Sequence, residues 1–491
     1  MKGALVATDT GRVQGYVTKG VHRFLGIPYA EPPFAQNRFK PAQPRTRWDG
    51  ALDAGSYGLI CPQTGGMGLG DLAEGEDCLN LNLWTPDPAA RGLPVMVWAH
   101  GGGQVSGTGA AAVYDGTHFA EEGVVLITNN RRLGAEGYLY LQEDFGGGIG
   151  PGNLGILDQI EVLRWVQRNV EKFGGDPNNV TLFGESGGGA AAQAVVATPA
   201  SAGLLRRVIL QSGGHAAQRP HTARAVAQTV LKALDIKPGD TAALVGTHWS
   251  SFVSLYDQLQ ATDYGSPQIY LPVVSEKMPN HPVDASFAGL GADVEYLIGS
   301  CRQELNLFSL FGEDALAVFT KRRDTLLKAS GVTLPALRAA YKSSFPELDD
   351  EDVDLAIAGD LWFRVPGQRI AEGHVQRGQA RTYLYRFDWE SQLLGAAHAM
   401  DLVLFGNGTP LPGLAGFASF DEVARKMRQS WINFATSGDP SIVGSRWPEY
   451  DLTRRISASL DSEFTLLEDP YRQPRQVLQP LTALNWTSAN L

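Results

Sequence analysis

Short, continuous apolar runs punctuate the first half of this chain. Pro94–Ala99 (PVMVWA) and Val180–Phe183 read as buried strands, and Val124–Thr128 and Val208–Gln211 as further strands. Glu76–Trp84 (EDCLNLNLW) alternates Leu with polar residues, which predicts a half-buried strand. Ile156, Ile160, Leu163, Val166 and Val170 fall on one stripe and predict a helix over 156–173. Strands alternating with helices at this spacing predict an α/β domain with a mostly parallel, doubly wound sheet.

The pattern loosens over 215–290, where several helical stretches appear. It returns to strand at Tyr296–Ile298, is largely helical over 313–378, and returns again at Thr382–Phe387 (TYLYRF). A helix over Arg425–Ala435 precedes a tail rich in Pro and Trp. Residues 23–48, dense in Pro and aromatics, suggest an extended segment wrapped over a core. Without an internal repeat or low-complexity linker, the simplest organisation is one domain over 1–491. Helical insertions are expected near 215–290 and 305–378.

Composition narrows the function classes. Of 491 residues, 43% are hydrophobic and 19% charged, and the formal net charge is -11, which argues against nucleic acid or an anionic membrane as partner. No apolar stretch is long enough to span a bilayer. The first residues, MKGALVATDTGRVQG, lack the apolar core of a secretory signal, so a cytoplasmic location is expected. A chain whose leader had been cleaved would read the same. Three cysteines, Cys61, Cys78 and Cys301, lack metal-ligand spacing. Cys61 and Cys78 suit either a bridge or two reduced core thiols.

The chemistry centres on VTLFGESGGGAAAQA, Val180 to Ala194. A strand, a tight turn with Gly on both sides of Ser186, and an alanine-rich helix form the layout of a nucleophile elbow. With 57 glycines in the chain, the G-x-S-x-G pattern alone is weak, and its surroundings strengthen it. His100-Gly101-Gly102-Gly103 follows a buried strand, where bare backbone N–H groups can converge on an oxyanion; Gly102, Gly103 and Gly187 are the candidate donors. A serine hydroxyl needs a base, expected after the last core strands. His398, in a small-residue loop beyond TYLYRF, is the best candidate, and His215, at a strand end, is its competitor. His22, His118, His221, His281 and His374 lie in polar or loop contexts and read as surface residues. Glu304 follows the YLIG strand; by spacing alone, a lone Glu there is more commonly a solvated loop residue. Gly150-Pro151-Gly152-Asn153-Leu154-Gly155 fits G-x-G-x-x-G formally, yet no apolar strand leads into it, which argues against a dinucleotide site.

At these residues the chain resembles the type B carboxylesterases of the α/β-hydrolase fold, the group of the bacterial para-nitrobenzyl esterases and the cholinesterases. FLGIPYAEPP, NRFKPAQP, EDCLNLNLWTP, PVMVWAHGGG, GNLGILDQIEVLRWVQRNVEKFGGDPNNVTLFGESGG, VILQSGG, GSCRQE, GAAHAMDL and SWINFATSGDP all resemble family blocks in the family order. The resemblance implies Ser186 as nucleophile, Glu304 as acid and His398 as base, with the oxyanion at Gly102, Gly103 and Gly187. It also implies a Cys61–Cys78 disulfide, an Arg38–Glu76 ion pair, a field-shaping role for Glu185, and room for bulky alcohol esters beside the triple glycine.

Four positions depart from the family pattern. Gly187 stands where Ala is usual, Gln104 where an aromatic follows the glycine run, and Arg131 where Tyr is usual; Leu305 also replaces a common Gly. Gln104 should make its wall of the substrate pocket more polar. Phe308, Phe311, Phe363 and Met400 are candidate apolar walls, with core packing the commoner fate of such residues. The expectation is a serine carboxylesterase acting on small-molecule esters, without metal or other cofactor, as a monomer or small homo-oligomer. The alternatives are an amidase or carbamate hydrolase with the same triad, and a catalytically silent esterase-like binding module. A lipase is disfavoured because no amphipathic lid stands out.

Overall fold

A computed structural model describes residues 1–63, 65, 70–213, 217–260, 269–408 and 419–488. The chain divides into two compact units: Met1–Val208 with Ala216–Pro279, and Ile209–His215 with Asn280–Leu491.

The first unit carries β1 (Lys2–Ala7), β2 (Arg12–Thr18), β3 (Val21–Pro28), β4 (Ala51–Asp53), β5 (Asn80–Thr85), β6 (Leu93–Ala99), β7 (Val125–Asn129) and β8 (Gly175–Glu185). Their order is β1-β2-β3-β5-β7-β6-β8, with β4 beside β2. The pairs from β1 through β5 to β7 are antiparallel, whereas β7, β6 and β8 run parallel. The parallel strands are the continuous apolar runs of the sequence, and Val95–Ala99 is fully buried, as strands covered on both faces must be.

β5 differs from the half-buried strand expected over 76–84. It begins only at Asn80, and all six of its residues are buried. The polar members of its alternation face partners instead of water. Asn80 Nδ2 donates to Leu59 O at 2.8 Å, and Asn82 Nδ2 donates to Thr128 Oγ1 at 3.0 Å.

The striped helix runs over Leu154–Asn169 and tightens into a 3₁₀ turn at Val170–Phe173, with Ile156, Ile160, Leu163, Val166 and Val170 all buried. The glycine-rich run before it shapes the helix entry. Asn153 takes φ 59°, and its amide clasps Val273, accepting from its N at 2.6 Å and donating to its O at 2.8 Å. Arg38 also departs from expectation. Its carboxylate partner is the buried Glu136, at 2.5 Å, and not Glu76, which is exposed. A buried guanidinium needs a carboxylate that is itself removed from water.

The second unit holds the end of β9 (Arg207–Gln211), followed by β10 (Glu295–Cys301), β11 (Thr382–Phe387), β12 (Ile456–Leu460) and β13 (Thr465–Glu468), in that order. β10, β11 and β12 are parallel, and β13 closes the edge antiparallel. Helices Glu313–Ser330, Leu334–Ser344, Asp350–Trp362 and Arg364–Arg377 fill the expected helical stretch. Leu326, Leu337, Ile357, Leu481 and Trp486 belong to one apolar cluster among them. Two histidines read as surface residues are buried in this unit. His281 caps the helix Pro282–Ala285 through Nδ1 and packs on Trp486, while His374 bonds Thr382 Oγ1 at 2.7 Å. A local polar partner lets each ring leave water, and burial pulls the His374 pKa down. Among the described residues, no helix is long and apolar enough to cross a membrane.

Candidate active site

Ser186 sits where β8 ends and the helix Gly187–Val196 begins, with φ 54° and ψ −124°, outside the regions open to an unstrained L-residue. The glycines around it answer to contact. A Cβ on Gly184 would lie 2.7 Å from Ala99 O, and one on Gly188 only 1.9 Å from the same atom. The tip of β6 therefore runs directly against the elbow, and side chains there would push the turn open. As the first helical residue, Gly187 has no intrahelical acceptor for its N–H.

The loop after β6 lies in the same unit. Gly102 takes φ +103°, and its carbonyl accepts from both Val105 N and Ser106 N at 3.0 Å. His100 is fully buried, with Nδ1 2.8 Å from Gly101 O; burial, reinforced by the Arg131 charge, holds its pKa well below the usual imidazole range, so it stays neutral. Glu185 is 3% exposed, and its carboxylate stands 2.7 Å from where a Gly101 Cβ would be.

Gln104 is 2% exposed, with both ends of its amide bonded inside the first unit. Nε2 donates to Gly187 O at 2.6 Å, while Oε1 accepts from Tyr138 Oη at 2.7 Å and from Arg131 Nη2 at 3.3 Å. Three positions that depart from the family pattern thus meet in one hydrogen-bonded group.

The second unit holds a buried His–Glu pair. His398 Nδ1 lies 2.6 Å from Glu304 Oε2, with both side chains buried. The other carboxylate oxygen accepts from Ser212 Oγ at 2.6 Å and from Cys301 N at 2.8 Å. These bonds hold the carboxylate against its strand end, and the carboxylate in turn orients the ring. Behind it, Asp401 is fully buried and accepts from Gln211 Nε2 at 3.0 Å and Tyr385 Oη at 3.2 Å. Neither Ser212 nor Asp401 stands out in the sequence, although both lie inside resembling blocks, VILQSGG and GAAHAMDL.

The candidate pocket residues divide. Phe308 and Phe363 place their ring centroids 5.2 and 4.6 Å from that of His398, and Met400 is buried two residues beyond it. Phe311 is 52% exposed instead, because the helix Asn306–Ser309 unwinds through successive turns that carry it outward. Cys61 and Cys78 are both buried, with their Sγ atoms 2.9 Å apart. His215, the competing base, lies outside the described residues.

The comparisons with known proteins identify the family. The pattern of the carboxylesterase family matches residues 2–477. The para-nitrobenzyl esterase of Bacillus subtilis (strain 168) is 35% identical, covering 98% of this chain and 99% of its own. A phenmedipham hydrolase of Pseudarthrobacter oxydans is 34% identical over 88% of this chain and 90% of its own. Among solved structures, a Geobacillus stearothermophilus carboxylesterase superposes with a TM-score of 0.87 at 34% identity, over 97% of this chain and 100% of that one. The chain belongs to the carboxylesterase family, has its α/β-hydrolase fold, and is a carboxylic-ester hydrolase.

Proposed function

We propose that ester hydrolysis proceeds through an acyl-enzyme on Ser186, with His398 as general base and Glu304 as the acid of the triad. The observation that carries the reading is the buried 2.6 Å contact between His398 Nδ1 and Glu304 Oε2. It leaves Nε2 as the nitrogen for proton transfer and places a carboxylate where an imidazolium would form. The strained backbone of Ser186 supports its role as nucleophile.

In this mechanism the Ser186 hydroxyl attacks the ester carbonyl as His398 takes its proton. The N–H groups of Gly102, Gly103 and Gly187 receive the oxyanion. The tetrahedral intermediate collapses by breaking the bond to the alcohol, which leaves with the proton from His398. Water then gives its proton to the same ring and attacks the acyl-enzyme; the second intermediate collapses by breaking the bond to Ser186 Oγ, which takes that proton from His398, and the acid is released. The substrate is a small-molecule ester, and Phe308 and Phe363 beside His398 favour an apolar group near the base.

The test is release of para-nitrophenol from acetate through octanoate esters, comparing the intact protein with Ser186→Ala. Loss of ~10⁴–10⁶-fold in kcat is expected. Retention of activity in Ser186→Ala would sink the mechanism. Assaying phenmedipham and a matched anilide alongside places the leaving-group preference, since a poorer leaving group demands earlier protonation by His398.

A further inference from the structure

Two adjacent arginines of the first unit, both buried, are treated very differently. Arg132 makes a forked bond to Asp158, with Nε 2.8 Å from Oδ2 and Nη2 2.6 Å from Oδ1. Arg131 is equally buried, yet it forms no ion pair with a carboxylate among the described residues. Its Nη2 donates to His100 O at 2.9 Å and to Gln104 Oε1, while Nε and Nη1 have no hydrogen-bond partner there. A charge left in that state is costly to bury, so its surroundings ask what it serves.

They are the back of the glycine loop. His100 O precedes that loop, and Gln104, at φ +68°, ends it. From Gln104 the amide reaches across to Gly187 O, so one side chain ties the loop to the elbow. The spacing it sets leaves no room for a methyl group: a Cβ on Gly187 would lie 2.8 Å from Gly103 N and 3.2 Å from Gln104 N. Gly187 is thus matched to the approach that Gln104 enforces.

We propose that Arg131 and Gln104 are positioning residues for the oxyanion site and form one interdependent unit with Gly187. Gln104 fixes the distance between the glycine loop and the elbow. Arg131 fastens Gln104 and places a buried positive charge behind the point where negative charge develops. The inference rests on the reading of Gly102, Gly103 and Gly187 as oxyanion donors. An interaction of this kind acts on the transition state more than on bound ester, so it appears in kcat and leaves KM nearly untouched.

The experiment is steady-state kinetics on para-nitrophenyl esters, with the affinity of a trifluoromethyl ketone, whose serine adduct carries an oxyanion, as second readout. Arg131→Met is expected to lower kcat by ~10–100-fold, with KM within about twofold and inhibitor affinity falling in parallel. Arg131→Lys should recover much of that loss. Gln104→Ala and Gly187→Ala should each lower kcat, but the double variant should be no worse than the poorer single, because both loosen the same approach.

Unchanged kcat in a folded Arg131→Met, or a loss expressed only in KM, would overturn the role of the charge, as would a loss that Lys does not restore. Should Arg131→Met not fold, the Gln104 and Gly187 cycle decides, and effects that simply multiply would refute the interdependent unit. Ser186→Ala in the same series separates the two levels. An active Ser186→Ala condemns the underlying reading, whereas an inert one beside kinetically silent Arg131 and Gln104 variants condemns only this inference.

Discussion

The two units contribute to the proposed machinery in different materials. The first offers main chain: a serine on a strained turn, three glycine N–H groups, and glycines at 184 and 188 that let β6 approach the elbow. The second offers side chains: a ring, a carboxylate and the Ser212 hydroxyl, joined by hydrogen bonds between residues 92 and 94 positions apart. Geometry made from main chain constrains the residues that make it, because only glycine tolerates the contacts. Geometry made from side chains constrains pairs of residues far apart in the chain. The first kind leaves a local trace in the sequence, and the second leaves almost none.

The sharpest way to break the comparison is to neutralise the second unit's carboxylate without changing its shape. Glu304→Gln keeps an oxygen for Ser212 Oγ and Cys301 N but removes the charge facing His398. A fall in kcat of ~10⁴-fold with little change in KM is expected, measured on para-nitrophenyl acetate. A loss under about tenfold would mean that Glu304 merely packs against the ring.

The counterpart in the first unit is Gly102→Ala. At φ +103° a Cβ would stand 2.1 Å from Ser106 O, a main-chain atom that cannot swing aside, so the loop itself must move. The expected loss in kcat is ~10²–10³-fold, the size of one displaced oxyanion donor. Because Gly102 is exposed, urea unfolding should show only about 1–2 kcal/mol of destabilisation. Near-normal kcat would remove Gly102 from the donor set and weaken the case that main chain does this work.

The same distinction explains what could be read before the structure. The runs at 94–99, 124–128 and 180–183 were legible because strands buried on both faces must be continuously apolar, and Ser186 because its glycines are forced by contact. β1 and β13 escaped, since edge strands such as Lys2–Ala7 and Thr465–Glu468 mix polar and apolar residues without a firm period. β5 misled because buried asparagines imitate a solvent face. Glu304 carried no local sign of its role. Its character comes from Ser212, Cys301 and His398, and only the likeness of GSCRQE to a family block singled it out. The tie from Gln104 to Gly187 and Arg131 was equally silent; each residue was visible as a departure, but nothing in the spacing showed that they touch.

The smallest expected effect tests whether a buried carboxyl of the second unit titrates. Burial pushes the Asp401 carboxyl up to about 6, with the charge of Glu304 adding to the rise and the bond from Gln211 opposing it. Between about pH 4 and pH 6 the folded chain therefore keeps a proton that the unfolded chain has released, and stability falls as pH rises through that window. At neutral pH the ionised Asp401 costs on the order of 2–3 kcal/mol relative to a group with an unshifted pKa. Asp401→Asn retains an oxygen for Gln211 Nε2 and Tyr385 Oη but cannot ionise. Its urea midpoint should exceed the parent's near pH 7.5, by up to ~2 kcal/mol in stability, and the advantage should shrink to nothing near pH 4. Amide N–H groups do not titrate in this range, so the stability difference for Gly102→Ala should stay flat across the same pH values. A pH-independent effect at position 401 would show that its carboxyl is not the titrating group. A sloping effect at position 102 would show that the main-chain half is electrostatically coupled to an ionisable group, and the division between the two materials would have to be redrawn.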